Sequence, residues 1–127
     1  MTKHYDNGTS LGDKILRGVN QLADNVASTL GPRGRNVILQ EPGPFESAGA
    51  DVIKQAAAQT NSMAGDGTTT ATVLARAVLT ESQRYIASGA SPVELKRGMD
   101  SAVEAITQTL KDLAIDISSV DEIANIA

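Results

Sequence analysis

The apolar positions of this chain fall into four helical stripes and one unbroken run. The first stripe is Leu11, Ile15, Val19, Leu22, Ala23 and Val26, one face at a 3.6-residue period. It predicts a helix capped by Thr9 or Ser10 and running to about Leu30, where Gly31 and Pro32 stop it. Ser10 and Asp13 have capping-box spacing, with aspartate a poorer partner than glutamate. Residues 1–9 read as a short polar arm. "NVILQ" (36–40) is the one convincing strand; Val37, Ile38 and Leu39 alternate with nothing, as in a strand buried on both sides. Its only weak partner in the chain is "LAIDI" (113–117).

"EPGP" (41–44) is a rigid turn. The second stripe, Ala48, Val52, Ile53, Ala56, Ala57 and Thr60, predicts a helix from about Phe45 to Met63. After "AGDG" a third helix starts at the threonines and runs to about Ser88, burying Val73, Leu74, Ala77, Val78 and Ile86. "SGASP" (88–92) leads into a fourth, with Ser91 as cap, Pro92 at the first position and Glu94 completing a capping box. Its stripe is Leu95, Met99, Ala102, Val103, Ile106, Leu110 and Leu113. Ser118 or Ser119 caps the last helix, and Ser119 with Glu122 has box spacing. The pattern is therefore mainly α: a helical bundle with one short strand at about 36–40.

Composition narrows the function classes. The hydrophobic share of the 127 residues is 41%, but aromatics are only 2%, so large core anchors are few: Phe45, Tyr85 and the Leu/Ile/Val set. The net charge of −4 gives no drive toward nucleic acid or an anionic membrane, and Arg17, Arg33 and Arg35 form only a small basic cluster. There are no cysteines, which excludes disulfides and thiolate metal sites and fits a reducing cytoplasm. No apolar run is long enough to span a bilayer, and "MTKHYDNGTS" lacks the apolar core of a signal peptide. His4 is the only histidine and reads as solvated, so no Ser–His or Cys–His nucleophile pair can be assembled. Glu46, Asp51, Glu81, Glu94, Asp100 and Glu104 read as solvated-face charges.

Two loops could carry chemistry. In "AGDGTTTATVLARA" (64–77), Gly65 and Gly67 let backbone amides approach a ligand, and the threonines open a helix whose first amides suit an anion. Asp66 would repel a phosphate, but it suits a Mg²⁺ shared with one. The plainer reading is a helix start capped by Asp66 or a threonine. The loop is not a Walker A motif, since no Gly-Lys-Ser/Thr follows. In "TLGPRGRN" (29–36) the plainer reading is a helix end plus a turn.

"LRGVNQLADNVASTLGPRGRNVIL" (16–39), "AGDGTTTATVLARA" (64–77) and "ASPVELKRGMDSAVEAI" (90–106) together, in this order, resemble the group I, GroEL-type chaperonins. The similarity covers nearly the whole chain from about Leu11 and matches the N-terminal half of that family's equatorial domain. The resemblance implies that Thr29, Leu30, Gly31 and Pro32, with Asp66, Gly67, Thr68, Thr69 and Thr70, contact ATP, and that Asp66 holds Mg²⁺. It implies chaperonin subunits as partners in a ring, non-native proteins as substrates of the full assembly, and a cytoplasmic setting. The sequence departs from the family between Leu39 and Phe45, where a return strand, a nucleotide-binding stretch and a short helix are replaced by "QEPGP". Residues 1–127 are thus expected to form a single partial equatorial domain, without intermediate or apical domains or the catalytic aspartate. Little or no ATPase is expected of the isolated chain. The competing reading is a helical interaction module with no nucleotide function.

Overall fold

The computed structural model describes residues 4–34, 43–117 and 119–126. Its elements are α1 (Gly8–Ala27), α2 (Pro44–Ala64), α3 (Thr68–Ala87), α4 (Pro92–Leu113) and α5 (Val120–Ile126). The chain is mainly α, as the stripes predict. The strand expected at 36–40 lies outside the described residues. Residues 114–117, its weak candidate partner, form no strand. Two compact units divide the chain, one up to Ser88 and one from Gly89.

In the first unit, α1, α2 and α3 each contact the other two. The core is Val19, Leu22 and Ala23 of α1 with Ala50 and Ile53 of α2; Leu16, Val26, Ala75 and Leu79 flank it. Val19 and Ile53 are the largest fully buried side chains, each contributing about 1.5–3 kcal/mol by leaving water. The α1–α2 contact is backbone on backbone. A Cβ built on Gly18 would strike the Glu46 carbonyl oxygen, and one on Gly49 would strike that of Ile15. Only glycine lets these helices approach so closely. Beside this crossing, Arg17 bonds Glu46 at 3.5 Å, so Glu46 is partly buried rather than a free surface charge.

Several local expectations are corrected. The first helix begins before Thr9 and Ser10: Asn7 is its N-cap, and it makes no side-chain cap bond. Asp6 organises the entry instead, accepting from the Asn7 N–H at 2.9 Å, the Ser10 hydroxyl at 3.2 Å and the Lys14 ammonium at 2.5 Å. The hydrogen bond from Lys14 and that from the Asn7 amide hold the Asp6 carboxyl below its ordinary pKa. The same Lys14 ammonium lies 5.1 Å from the centre of the Phe45 ring, and the exposed His4 ring meets that ring edge-on. Phe45 is thus half-buried at the unit's margin, and Tyr85 is exposed, so neither is a core anchor. In α2, Ala48 and Val52 turn outward while Ile53 is buried. In α3 the packed face is Thr72, Ala75 and Leu79; the expected Leu74, Ala77, Val78 and Ile86 are exposed. This helix is apolar on two sides, so periodicity alone could not select the covered one.

The second unit has the expected boundaries but little burial. Ser91 is the N-cap of α4 and Pro92 opens it, yet no side-chain cap bond forms. Glu94 pairs with Arg97 at 3.1 Å instead of completing the box. At α5 the box does form: the Ser119 amide donates to Glu122 Oε2 at 3.1 Å and the Glu122 amide to Ser119 Oγ at 3.2 Å. No residue of α4 is buried.

Candidate functional site

The turn between α2 and α3 is three residues long and built on two glycines. Gly65 ends α2 at φ +73°, its amide donating to the Asn61 carbonyl at 2.9 Å. Gly67 begins α3 at φ +79°. Both lie in the left-handed region, where a side chain is strained. The N-cap of α3 is therefore Gly67, not Asp66 or a threonine. Glycine has no side chain, and no side-chain bond caps this helix. The amides at Thr68–Thr70 begin the helix at its positive end without a protein acceptor from a cap. Asp66 is exposed; its Oδ1 accepts from the Gly67 amide at 2.6 Å. Gly67, Thr68 and Thr69 are half-buried and Thr70 is exposed. One turn further on, the buried Thr72 hydroxyl donates to the Thr68 carbonyl at 2.9 Å, which ties the first turn to the core side of the helix.

The other loop follows α1, which ends at Ala27 rather than near Leu30. Ser28 and Thr29 stop it: their hydroxyls donate back to the carbonyls of Asn25 and Val26, each at 2.6 Å. These hydroxyls occupy carbonyls that another helical turn would have used. Gly31 then turns the chain at φ +81°, and the Gly34 amide closes onto its carbonyl at 2.9 Å. Thr29, Leu30, Gly31 and Pro32 are all exposed.

Contacts between α1 and α3 bring both loops to one end of the unit. Gly12, early in α1, faces Gln83, late in α3. Asp24, late in α1, forms an ion pair with Arg76 in the first half of α3. The helices therefore run antiparallel, so the exit of α1 and the entry of α3 share an end, where α2 also finishes. Asp24 and Arg76 carry no signal in the sequence. They lie 52 positions apart and follow no motif, so only the packing reveals that they join the two loop-bearing helices.

The donor set fits a phosphate with a shared divalent cation. Uncapped helix amides and threonine hydroxyls are anion donors. Among the described residues no group of three or more His, Asp or Glu side chains could hold a metal ion. A cation at Asp66 would thus have one protein carboxylate, with water and phosphate as its remaining ligands, which is how Mg²⁺ is commonly held. Arg33 follows the α1 loop and is exposed, while Arg35 lies outside the described residues.

A protein-family model, the TCP-1/cpn60 chaperonin family, matches residues 44–127. The chain belongs to this chaperonin family. Its match opens at Pro44, the first residue of α2, and takes in the Gly65–Thr70 turn together with α3, α4 and α5. Among curated chaperonins, the chain is 46% identical to chaperonin GroEL 1 of Corynebacterium diphtheriae and 44% identical to that of Corynebacterium glutamicum. Each comparison covers 89% of this chain and 25% of the relative, so the chain spans a quarter of the length of the chaperonins it matches. The alignment runs over 133 positions while taking in 89% of 127 residues. The relative thus carries on the order of twenty positions with no counterpart here, an amount that a shortened link between Leu39 and Phe45 would account for. Among the described residues, no helix is long and apolar enough to cross a membrane.

Proposed function

We propose that this chain is the nucleotide-binding N-terminal part of a chaperonin-like subunit, serving ATP-dependent protein folding as part of a larger ring in the cytoplasm. Thr29, Leu30, Gly31 and Pro32 form one side of the ATP site, and Asp66, Gly67, Thr68, Thr69 and Thr70 the other. The observation that carries this reading is the glycine-capped entry of α3, with an exposed carboxylate beside it, at the same end as the α1 loop. Mg²⁺ held by Asp66 and phosphate would neutralise charge that the carboxylate alone would repel.

The chain's own residues bind and orient; among the described residues none is placed to activate water. His4 lies on the arm, and no carboxylate other than Asp66 belongs to either loop. The isolated chain is therefore a binder with little or no ATPase, and its partners are chaperonin subunits. Non-native proteins, nucleic acid and membranes are not partners of the chain by itself. The second reading, a helical interaction module without nucleotide function, is favoured by the exposed apolar stripe of α4.

Calorimetric titration with ATP and Mg²⁺ separates the two. The proposal expects saturable binding that is lost in Asp66→Ala while the thermal melt is unchanged, because Asp66 is exposed and, among the described residues, bonds only its neighbour's amide. Absence of binding to the native chain, or full binding by Asp66→Ala, rejects it. Phosphate release above buffer that disappears in Asp66→Ala would overturn the absence of hydrolysis.

A further inference from the structure

The ion pair between Asp24 and Arg76 joins the two loop-bearing helices of the first unit, and its contacts run on into both loops. On the α1 side, the Asp24 carbonyl accepts from the Ser28 amide at 3.1 Å, and Ser28 is the residue before Thr29. On the α3 side, Arg76 stands one helical turn after Thr72. Thr72 is buried, and its hydroxyl donates to the Thr68 carbonyl at 2.9 Å. One line of contacts thus runs from the exit of α1, across the pair, to the first turn of α3.

The setting of the pair separates holding the loops from holding the fold. The Arg76 side chain is 29% exposed and that of Asp24 70%. An ion pair so open to water adds little to overall stability. Neither residue belongs to the core of Val19, Leu22, Ala23, Ala50 and Ile53 or to the side chains that flank it. Beyond Ala27 the chain leaves the helix, and Thr29, Leu30, Gly31 and Pro32 are all exposed. The pair therefore acts where the core does not reach, at the base of an exposed loop, and fixes the direction in which that loop leaves α1 relative to α3. A guanidinium suits this task, since its planar fork loses less freedom per hydrogen bond than an ammonium would.

We infer that Asp24 and Arg76 are positioning residues for the nucleotide site: their pair holds the 29–32 loop in the orientation that lets one nucleotide touch it and the 66–70 loop together. Neither side chain touches the nucleotide. The inference deepens the nucleotide reading and rests on it.

The test has two arms, the first without nucleotide. The chain has no cysteine, so spin labels at Arg33→Cys and Leu74→Cys, both exposed positions, report the distance from the α1 loop to α3 by pulsed electron resonance. That distance should be narrowly distributed. It should broaden when Arg76→Gln is added and narrow again when Asp24→Arg is combined with Arg76→Asp. The second arm is calorimetry with ATP and Mg²⁺ on unlabelled chains. Affinity should fall in Arg76→Gln by up to about fivefold, the most that an exposed pair contributes. It should return in the charge-reversed pair, with the urea midpoint little moved in either. Broadening in a chain that binds no ATP supports the positioning role and rejects the nucleotide reading alone. The inference is overturned by a distribution that Arg76→Gln leaves unchanged, by native affinity in a chain whose distribution has broadened, or by a loss that the charge-reversed pair does not restore.

Discussion

α1 and α4 are nearly twins on paper: 20 and 22 residues, each with a continuous apolar stripe over its length. Every residue of the α1 stripe is buried or half-buried, whereas four of the seven in the α4 stripe are large side chains more than half exposed. The difference does not lie in their patterns. α1 carries Gly18, which admits the backbone of α2, while Gly98 of α4 has open space around it. An amphipathic period states which face needs cover; a glycine contact with a second backbone records that cover is present.

The contrast can be broken most severely at the glycines. Gly18→Val should cost about 3 kcal/mol, the upper range for overpacking, because the obstructing atom is backbone and cannot rotate away. Gly98→Val meets no obstructing atom and replaces a poorer helix former with a better one, so it should stay within about 0.5 kcal/mol of the native chain, on the stabilising side. Urea unfolding followed by circular dichroism measures both. Equal losses would mean that α4 is as tightly enclosed as α1. One step smaller, Ile53→Ala should cost about 2–4 kcal/mol by leaving a cavity, and Val78→Ala on the outer face of α3 about 0.5 kcal/mol or less.

The helix-end contacts give a finer test. Ser119→Ala removes one half of the reciprocal box at α5 and should cost about 1 kcal/mol of local helix stability, read by amide exchange. Ser91→Ala should cost less, since Ser91 makes no cap bond. The smallest effect concerns Asp6. Its carboxyl is held below the ordinary value by Lys14 and the Asn7 amide. The stabilisation is therefore present above the ordinary carboxylate value and is lost as pH falls through the lowered folded one. Native and Asp6→Asn chains should differ slightly at neutral pH and melt together in acid. A gap that widened on acidification would reverse the sign.

Much of this was legible from residue types. Pro92 opens α4, Gly65 ends α2, and Ser119 with Glu122 marks α5, because proline, glycine and the box act through local backbone geometry; Pro44, expected in the turn, is instead the first residue of α2. What escaped depends on partners. The covered face of α3 is chosen by α1 and α2, not by its own two apolar sides. α1 starts early because Asp6, outside the helix, gathers Asn7, Ser10 and Lys14. Of the candidate site, the two loops were legible as helix boundaries marked by glycine, while the nine residues expected in them came with the family resemblance. That the loops share an end rests on the Asp24–Arg76 and Gly12–Gln83 contacts, which no local pattern records. The strand at 36–40 lies outside the described residues.

The backbone crossing of α1 and α2 has a consequence for how this chain can change over evolutionary time. Because Gly18 and Gly49 fix the two helices against each other directly, the segment joining them closes a loop whose ends are already determined. The entropy of such a closure grows only with the logarithm of its length, about 0.6 kcal/mol for each doubling. A hairpin can therefore be gained or lost between these helices at little thermodynamic cost, provided both glycines stay. The crossing makes the join between Leu39 and Phe45 a place where insertions and deletions leave the packing of α1 on α2 nearly untouched.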